Sequence, residues 1–244
     1  MSAPTPPSSP RIRAPGASLV VAIDGPAASG KSSTAQWVAQ RLGFRHVDSG
    51  ALYRAATAVA LARAGETFDE AAVLSFVGEI SLAPARHAFA PVWKGEPMEE
   101  LIRAPEVTRQ VSRVAQMRGV RTWVDANVRR AAEGTHVVVD GRDIGTVVFP
   151  EADLKVFLIA DPWERARRRL TQQHGRAPTD SEIAEETERL VQRDARDATQ
   201  TVQAKDAVLI DTTYLTQAEQ VERIVSLAKV FLEAGSADAS APPS

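Results

Sequence analysis

The sequence predicts an α/β fold with a parallel core sheet, and three observations carry that expectation. Residues 19–24 form a short β-branched apolar run of the kind buried in a parallel sheet. A glycine-rich turn follows, then a helical segment at 32–42 closed by Gly43. A second apolar run at 44–47 leads into a helix over 49–64 that stops at Gly65. This alternation lays successive strands side by side in one direction, because parallel neighbours need a helical crossover between them.

Residues 1–18 are rich in Pro, Ser and Ala and lack the apolar stretch that export needs, so they are expected to be a disordered tail on a cytoplasmic chain. A helix over 70–78 comes after the second strand–helix unit. The texture then changes: 80–89, 91–93 and 98–102 read as short strands joined by turns at Pro84, Gly95 and Pro97, which suggests a small antiparallel insert. Helical segments cover 105–133 with a break expected near Gly119, and strands resume at 136–140 and 154–159. Asp161, Pro162 and Glu164 supply an N-cap acceptor, a first-turn proline and an acid, so a helix runs from there to about 173. A second long helix is expected from Thr179 to about 200, and a last strand at 207–210. Thr216 and Glu219 then form a capping box for a helix ending before Gly235. Residues 235–244 are expected to be a disordered tail.

A chain of 244 residues can fill one principal core, here 19–234. Apolar residues at 44% and charged residues at 25% describe a globular chain, and no run is long enough to span a bilayer. The absence of cysteine excludes disulfides, thiolate metal sites and thiol nucleophiles. The four histidines, His46, His87, His136 and His174, lack ligand spacing and read as ordinary side chains. A net charge of −2 gives no electrostatic argument for nucleic acid. Basic residues are nonetheless lopsided, with 24 arginines against five lysines. Genome composition produces such a bias, and so does a need for guanidinium forks that grip phosphate oxygens in pairs.

Gly25-Pro26-Ala27-Ala28-Ser29-Gly30-Lys31-Ser32, continued by Ser33, fits G-x-x-x-x-G-K-[ST] between the first strand and its helix. Successive backbone N–H groups and the helix's positive end surround a β-phosphate in such a loop, the lysine reaches the β and γ oxygens, and the Ser32 hydroxyl joins a Mg²⁺ shell. A nucleoside triphosphate with Mg²⁺ is therefore the expected ligand. No guanine-reading N-K-x-D is present, the nearest run being Ala204-Lys205-Asp206. Asp140 either places a carboxylate near the metal or is an ordinary strand end. Two further strand-end segments, 48–54 with Arg54 and 140–146 with Arg142, each set an arginine beside small residues. Taken with the P-loop, they point to a second phosphate site at the sheet edge where ligands of open parallel sheets bind.

These segments closely resemble bacterial cytidylate kinases, nucleoside monophosphate kinases that phosphorylate CMP and dCMP with ATP. The resemblance runs over residues 19–233. Its carriers are GPAASGKSS at 25–33, DSGALYRA at 48–55, VTRQVSRVAQMRGVR at 107–121, DGRDIGTVVFPEADLKVFL at 140–158, ERARRR at 164–169 and RDARD at 193–197. It implies a P-loop kinase fold with a monophosphate-binding insert at about 80–117 and a short helical lid at about 163–176. By position, Ser49, Arg54 and Arg142 would bind the acceptor phosphate, while Ser112, Arg121 and Asp143 would read the base. Asp197 would hold the ribose and Arg193 would join the phosphates. Lys31, Arg142, Arg168, Arg169 and Arg193 would act on the transferring group, with Arg165, Arg168 and Arg169 in the lid. A monomer is the family-based expectation, with small nucleotides as the partners and neither nucleic acid nor membrane.

Relatives usually carry another arginine three residues after the ribose aspartate, where this chain has Gln200, and a longer link to the last strand than 201–205. A cation is thus missing or comes from elsewhere, for which Arg196 is the candidate. The alternatives are a kinase for UMP, AMP or shikimate, or a regulatory nucleotide-binding module with slow ATP hydrolysis.

Overall fold

The computed structural model of the chain describes residues 18–238, with side chains described up to residue 232. The tail expected before Ser18, and residues 239–244 of the other, lie outside that range. In chain order the elements are β1 (Val20–Asp24), α1 (Lys31–Leu42), β2 (Arg45–Asp48), α2 (Ser49–Ala64), α3 (Glu70–Phe76), β3 (Ile80–Pro84), β4 (Ala88–Trp93), β5 (Glu96–Pro97), α4 (Pro105–Val114), α5 (Arg118–Ala132), β6 (Val137–Gly141), β7 (Leu154–Ile159), α6 (Pro162–His174), α7 (Asp180–Asp197), β8 (Val208–Asp211) and α8 (Gln217–Asp238). The strands form one sheet in the order β3-β4-β2-β6-β1-β7-β8, with β5 on β4.

From β4 through β8 every neighbouring pair is parallel. The central strands are apolar throughout because both faces are covered. Along β6, Val137 and Val139 face one helical layer with Leu52, Val59 and Val124, while Val138 faces the other with Val38 and Ile224. That is the period-two alternation of a strand sandwiched between helices. A smaller cluster joins Ala166 and Leu170 of α6 to Ile183 and Leu190 of α7 and rests against Ala27, so the α6–α7 hairpin packs on the phosphate loop itself.

The helix ends follow their chemistry. Gly43 caps α1 with φ 71°, and Asp48 caps α2 by accepting from Ala51 N. Asp161 accepts from Trp163 N and Glu164 N to open α6, and Thr179 and Glu182 form a reciprocal capping box on α7.

Several expectations are corrected. The segment 98–102 is not a strand: Pro97 ends β5 because it has no N–H for the ladder, and the chain turns into a 3-10 turn at Leu101–Arg103. The expected antiparallel insert is present as β3, β4 and β5, and it joins the main sheet, since β4 pairs in parallel with β2 through His46–Ala88 and Val47–Phe89. The break between α4 and α5 falls at residues 115–117, before Gly119. That glycine serves close approach instead, for a Cβ there would stand 2.7 Å from Leu74 Cδ1. Helix α3 ends at Phe76 and continues as a 3-10 turn, Val77–Glu79. Helix α7 closes at Asp197, whose carbonyl accepts from Gln200 N and Thr201 N. Helix α8 runs on through Gly235 to Asp238, so glycine does not stop it; a mid-helix glycine costs only about 1 kcal/mol.

Candidate active site

The carboxyl ends of β1, β2 and β6 meet at one cleft of about 190 Å³. At its floor the loop between β1 and α1 takes the backbone shape that phosphate binding needs. Gly30 has φ 85° and Ala28, unusually for a residue with a Cβ, has φ 58°. A Cβ on Gly25 would lie 2.3 Å from the carbonyl oxygen of Leu158, so only glycine passes there. Among the described residues no side chain caps the N-terminus of α1, which leaves its first N–H groups to the cleft. The buried Ser29 hydroxyl also finds no hydrogen-bond partner among the described residues. Lys31 donates to the Pro26 carbonyl at 2.9 Å. Burial, reinforced by the positive charge of Arg142, lowers its ammonium pKa to about 7.

The second cradle is built from α2, the end of β6 and α7. The Ser49 hydroxyl donates to the Asp140 carbonyl at 2.8 Å, so its Oγ sits at the junction of β2 and β6. A Cβ on Gly141 would meet that Oγ at 2.6 Å, which explains the glycine. Arg54 donates to Thr108 Oγ1 at 3.2 Å. Arg142 and Arg193 face Asp197 Oδ2 with their Nε atoms at 3.5 and 3.8 Å, and both Nε atoms are buried without a hydrogen-bond partner among the described residues. Buried donors left unmade are costly, so the pair is poised for an acceptor. Burial and then the charge of Arg142 pull Arg193 down to about 10. Burial, opposed by Asp48 and assisted by Arg169, lowers Arg54 as well. An anion among these cations relieves their mutual repulsion.

At the far end, Arg121 forms a short ion pair with Asp143 and also donates to the Ala115 carbonyl at 3.1 Å. Ser112 of α4 and Tyr53 of α2 line the same end. Burial raises the Asp143 carboxyl despite Arg121, and it pushes the Tyr53 phenol well above its ordinary range, which keeps it a neutral donor. The segment carrying Asp143 is held by Asp24, whose two oxygens accept from Ile144 N and Gly145 N at 2.8 Å each. These bonds open a single π-helical turn, Ile144–Val148, which no local sequence signal announces. Burial outweighs the two donors and raises Asp24 to about 6.

Between the cradles, the Ser32 hydroxyl donates to Asp140 Oδ2 at 2.5 Å, and His46 Nε2 lies 2.7 Å from Asp140 Oδ1. The β2–β6 register sets Asp48 beside Asp140. Burial tends to raise Asp140, but His46, Lys31 and Ser32 hold it below the usual carboxylate range. Among the described residues no group of three or more His, Cys, Asp or Glu side chains is arranged to hold a metal alone. One hydroxyl with one or two carboxylates fits Mg²⁺, which takes its other ligands from water and substrate phosphate.

Most of the residues expected at the site therefore line one cleft: Lys31, Ser32, Ser49, Arg54, Ser112, Arg121, Arg142, Asp143, Arg169, Arg193 and Asp197. Arg169 reaches it from α6 while paired to Glu186 at 2.9 Å. Arg168 does not. Its guanidinium donates to the carbonyls of Thr212 and Thr213 after β8 at 2.6 and 2.8 Å, because it leaves α6 on the face turned to β8. Arg165 is buried where α6 meets the phosphate loop, bound to the Ala27 carbonyl at 2.8 Å and to Asp194 at 2.7 Å, and Ala27 N donates back to Asp194 at 3.3 Å. Gln200 lines the cleft, whereas Arg196 donates along its own helix to the Gln192 carbonyl and does not replace the missing cation there. Tyr53, Asp48 and His46 were not among the expected residues. Tyr53 and Asp48 belong to the 48–54 motif that carried Ser49 and Arg54, and His46 has no signal beyond its place two residues before Asp48.

A family model described as cytidylate kinase matches residues 21–230. The chain is 44% identical over 214 residues to the cytidylate kinase of Geobacillus kaustophilus (strain HTA426), spanning 86% of this chain and 96% of that protein. It is 40% identical over 221 residues to those of Solibacter usitatus (strain Ellin6076) and Lactococcus lactis subsp. lactis (strain IL1403). The first of these alignments spans 86% of this chain and 92% of the relative, the second 88% and 99%.

Proposed function

The chain belongs to the cytidylate kinase family, and on that premise we propose that it transfers the γ-phosphoryl group of ATP to CMP or dCMP, giving ADP with CDP or dCDP. The observation that carries the reading is the sharing of one cleft by two anion cradles, with an arginine–aspartate pair at the acceptor end.

The triphosphate lies on the N-terminus of α1, where the backbone N–H groups of the loop take the β-phosphate and Lys31 spans the β and γ oxygens. The acceptor's phosphate is held by Ser49, Arg54, Arg142 and Arg193, and its oxygen attacks the γ-phosphorus in line while the bond to ADP breaks. No side chain forms a covalent intermediate; the protein's contribution is position and positive charge. Arg142, Arg169 and Arg193 converge where charge develops on the transferring group. Ser32 and Asp140, with Asp48 alongside, would hold Mg²⁺, which supplies charge neutralisation on the β and γ oxygens when bound.

Cytosine carries an amino group beside two acceptors. Asp143 and Ser112 accept from the amine, and Arg121 donates to N3 and O2. Uracil places a carbonyl against the carboxylate, an acceptor facing an acceptor, so it is disfavoured. Asp197 accepts from the sugar hydroxyls while remaining the counter-ion of Arg142 and Arg193. The α6–α7 hairpin, seated on Ala27, closes the phosphates off from water that would otherwise hydrolyse ATP.

ADP production measured across CMP, dCMP, UMP, AMP and shikimate tests this. CMP and dCMP should dominate, and Asp143→Ala should narrow the CMP over UMP preference by an order of magnitude or so, as loss of a buried polar reader does. Preference for another acceptor would contradict the reading. ATP turnover without any acceptor product would favour a regulatory nucleotide-binding module.

A further inference from the structure

His46 stands on β2 with 8% of its surface exposed and does not line the cleft. Its ring is still tied to the centre of the site, because Nε2 lies 2.7 Å from Asp140 Oδ1. The other carboxylate oxygen, Oδ2, accepts from Ser32 Oγ at 2.5 Å. A carboxylate oxygen accepts, so the 2.7 Å contact assigns the donated proton to His46 Nε2.

A carboxylate's terminal torsion is soft, and two equivalent oxygens let it swing unless one is tied down. Asp140 has a specific reason to swing. The parallel register of β2 and β6 puts the half-buried Asp48 carboxyl beside it, and two neighbouring carboxylates repel. His46 comes from the same strand as Asp48 and engages the Asp140 oxygen that Ser32 leaves free. Each Asp140 oxygen is thereby assigned, one to the core and one to the cleft.

We propose that His46 is a positioning residue for the metal shell: by donating from Nε2 to Asp140 Oδ1, it holds Oδ2 in register with Ser32 Oγ so that the two oxygens present a preformed edge to a divalent cation. The imidazole touches neither nucleotide and transfers no proton. The inference rests on the reading of Ser32 and Asp140 as the magnesium site. Outer-sphere donors of this kind, when removed, typically weaken metal binding by about 10- to 100-fold.

The test uses Mn²⁺ as a spectroscopic stand-in for Mg²⁺. Its binding to the ADP complex of the full-length protein is titrated by electron paramagnetic resonance, alongside CMP affinity measured without divalent metal. His46→Leu removes the donor and should weaken Mn²⁺ by about tenfold or more while leaving metal-free CMP affinity unchanged. His46→Gln, whose side-chain amide reaches to a position comparable with Nε2, should recover most of the loss. Should the leucine variant be insoluble, His46→Asn, with an amide too short to reach Asp140, carries the same expectation. Wild-type Mn²⁺ affinity in the leucine or asparagine variant overturns the proposal, and so does a glutamine variant as impaired as they are, since shape alone would then matter. If the wild-type ADP complex itself takes up no Mn²⁺, the magnesium site assigned to Ser32 and Asp140 fails, and the role of His46 falls with it.

Discussion

Lys31 is under two opposed demands, a buried position that disfavours its charge and a task that requires it. Its ammonium pKa falls to about 7, chiefly through burial and then through Arg142. Because the folded value lies below the unfolded one, the unfolded chain binds more protons between about pH 7 and 10.5, and this residue's contribution to stability rises with pH across that window. Asp24 runs the other way. Its folded value of about 6 lies above 3.8, so its contribution is greatest below that lower value and is lost as pH climbs through 6. A polyphosphate beside Lys31 restores the ammonium, so nucleotide binding should take up a proton. At about pH 8, clear of the phosphate's own ionisation near 6, calorimetry of ADP binding in buffers of differing ionisation enthalpy should read uptake of most of one proton. Lys31→Ala should abolish that uptake and cost orders of magnitude in turnover. Uptake that survives the substitution would assign the proton elsewhere.

At the scale of elements, the legible parts were those whose ends are written in local chemistry. Helix α2 is legible from its stop at Gly65, α6 from Asp161, Pro162 and Glu164, and α7 from Thr179 at its start. The misread parts depend on partners distant in sequence. Gly119 looked like a break because its real reason, contact with α3, lies about fifty residues upstream. The π-turn after Asp143 exists because Asp24, on another strand, holds its first N–H groups. Among site residues, glycine, lysine and arginine in dense motifs were readable. His46 carries no local signal because only the β2–β6 register brings it to Asp140, and the motif alone does not tell the side of α6 that bears Arg168 from that of its neighbours. Arg165 shows how the α6–α7 hairpin is attached: one buried guanidinium joins Asp194 of α7 to the Ala27 carbonyl of the phosphate loop. Arg165→Leu leaves that carbonyl without its donor and a partly buried carboxylate with only the Ala27 N–H. Urea denaturation should show a loss of roughly 3 kcal/mol. A change within a few tenths of a kcal/mol would mean that apolar packing of α6 and α7 seats the hairpin unaided.

Across the whole molecule, the sheet order explains why the chemistry is possible. Strand β6 lies between β1, which delivers the triphosphate loop, and β2, which delivers Asp48, Ser49 and the helix bearing Arg54. On the proposed reading, donor and acceptor cradles thus end up two strands apart at one sheet edge, with Asp140 and Arg142 between them. Helices α4 and α5 bring Ser112 and Arg121 to the acceptor side, and the α6–α7 hairpin covers the donor side. The measurement that bears most directly on this layout is inhibition by a single molecule in which the 5′ oxygens of cytidine and adenosine are joined through a chain of phosphates long enough to fill both cradles. Joint occupation of one cleft predicts inhibition competitive with both ATP and CMP, with affinity above that of either nucleotide alone. Competition with only one of them, at no gain in affinity, would contradict transfer within a shared cleft.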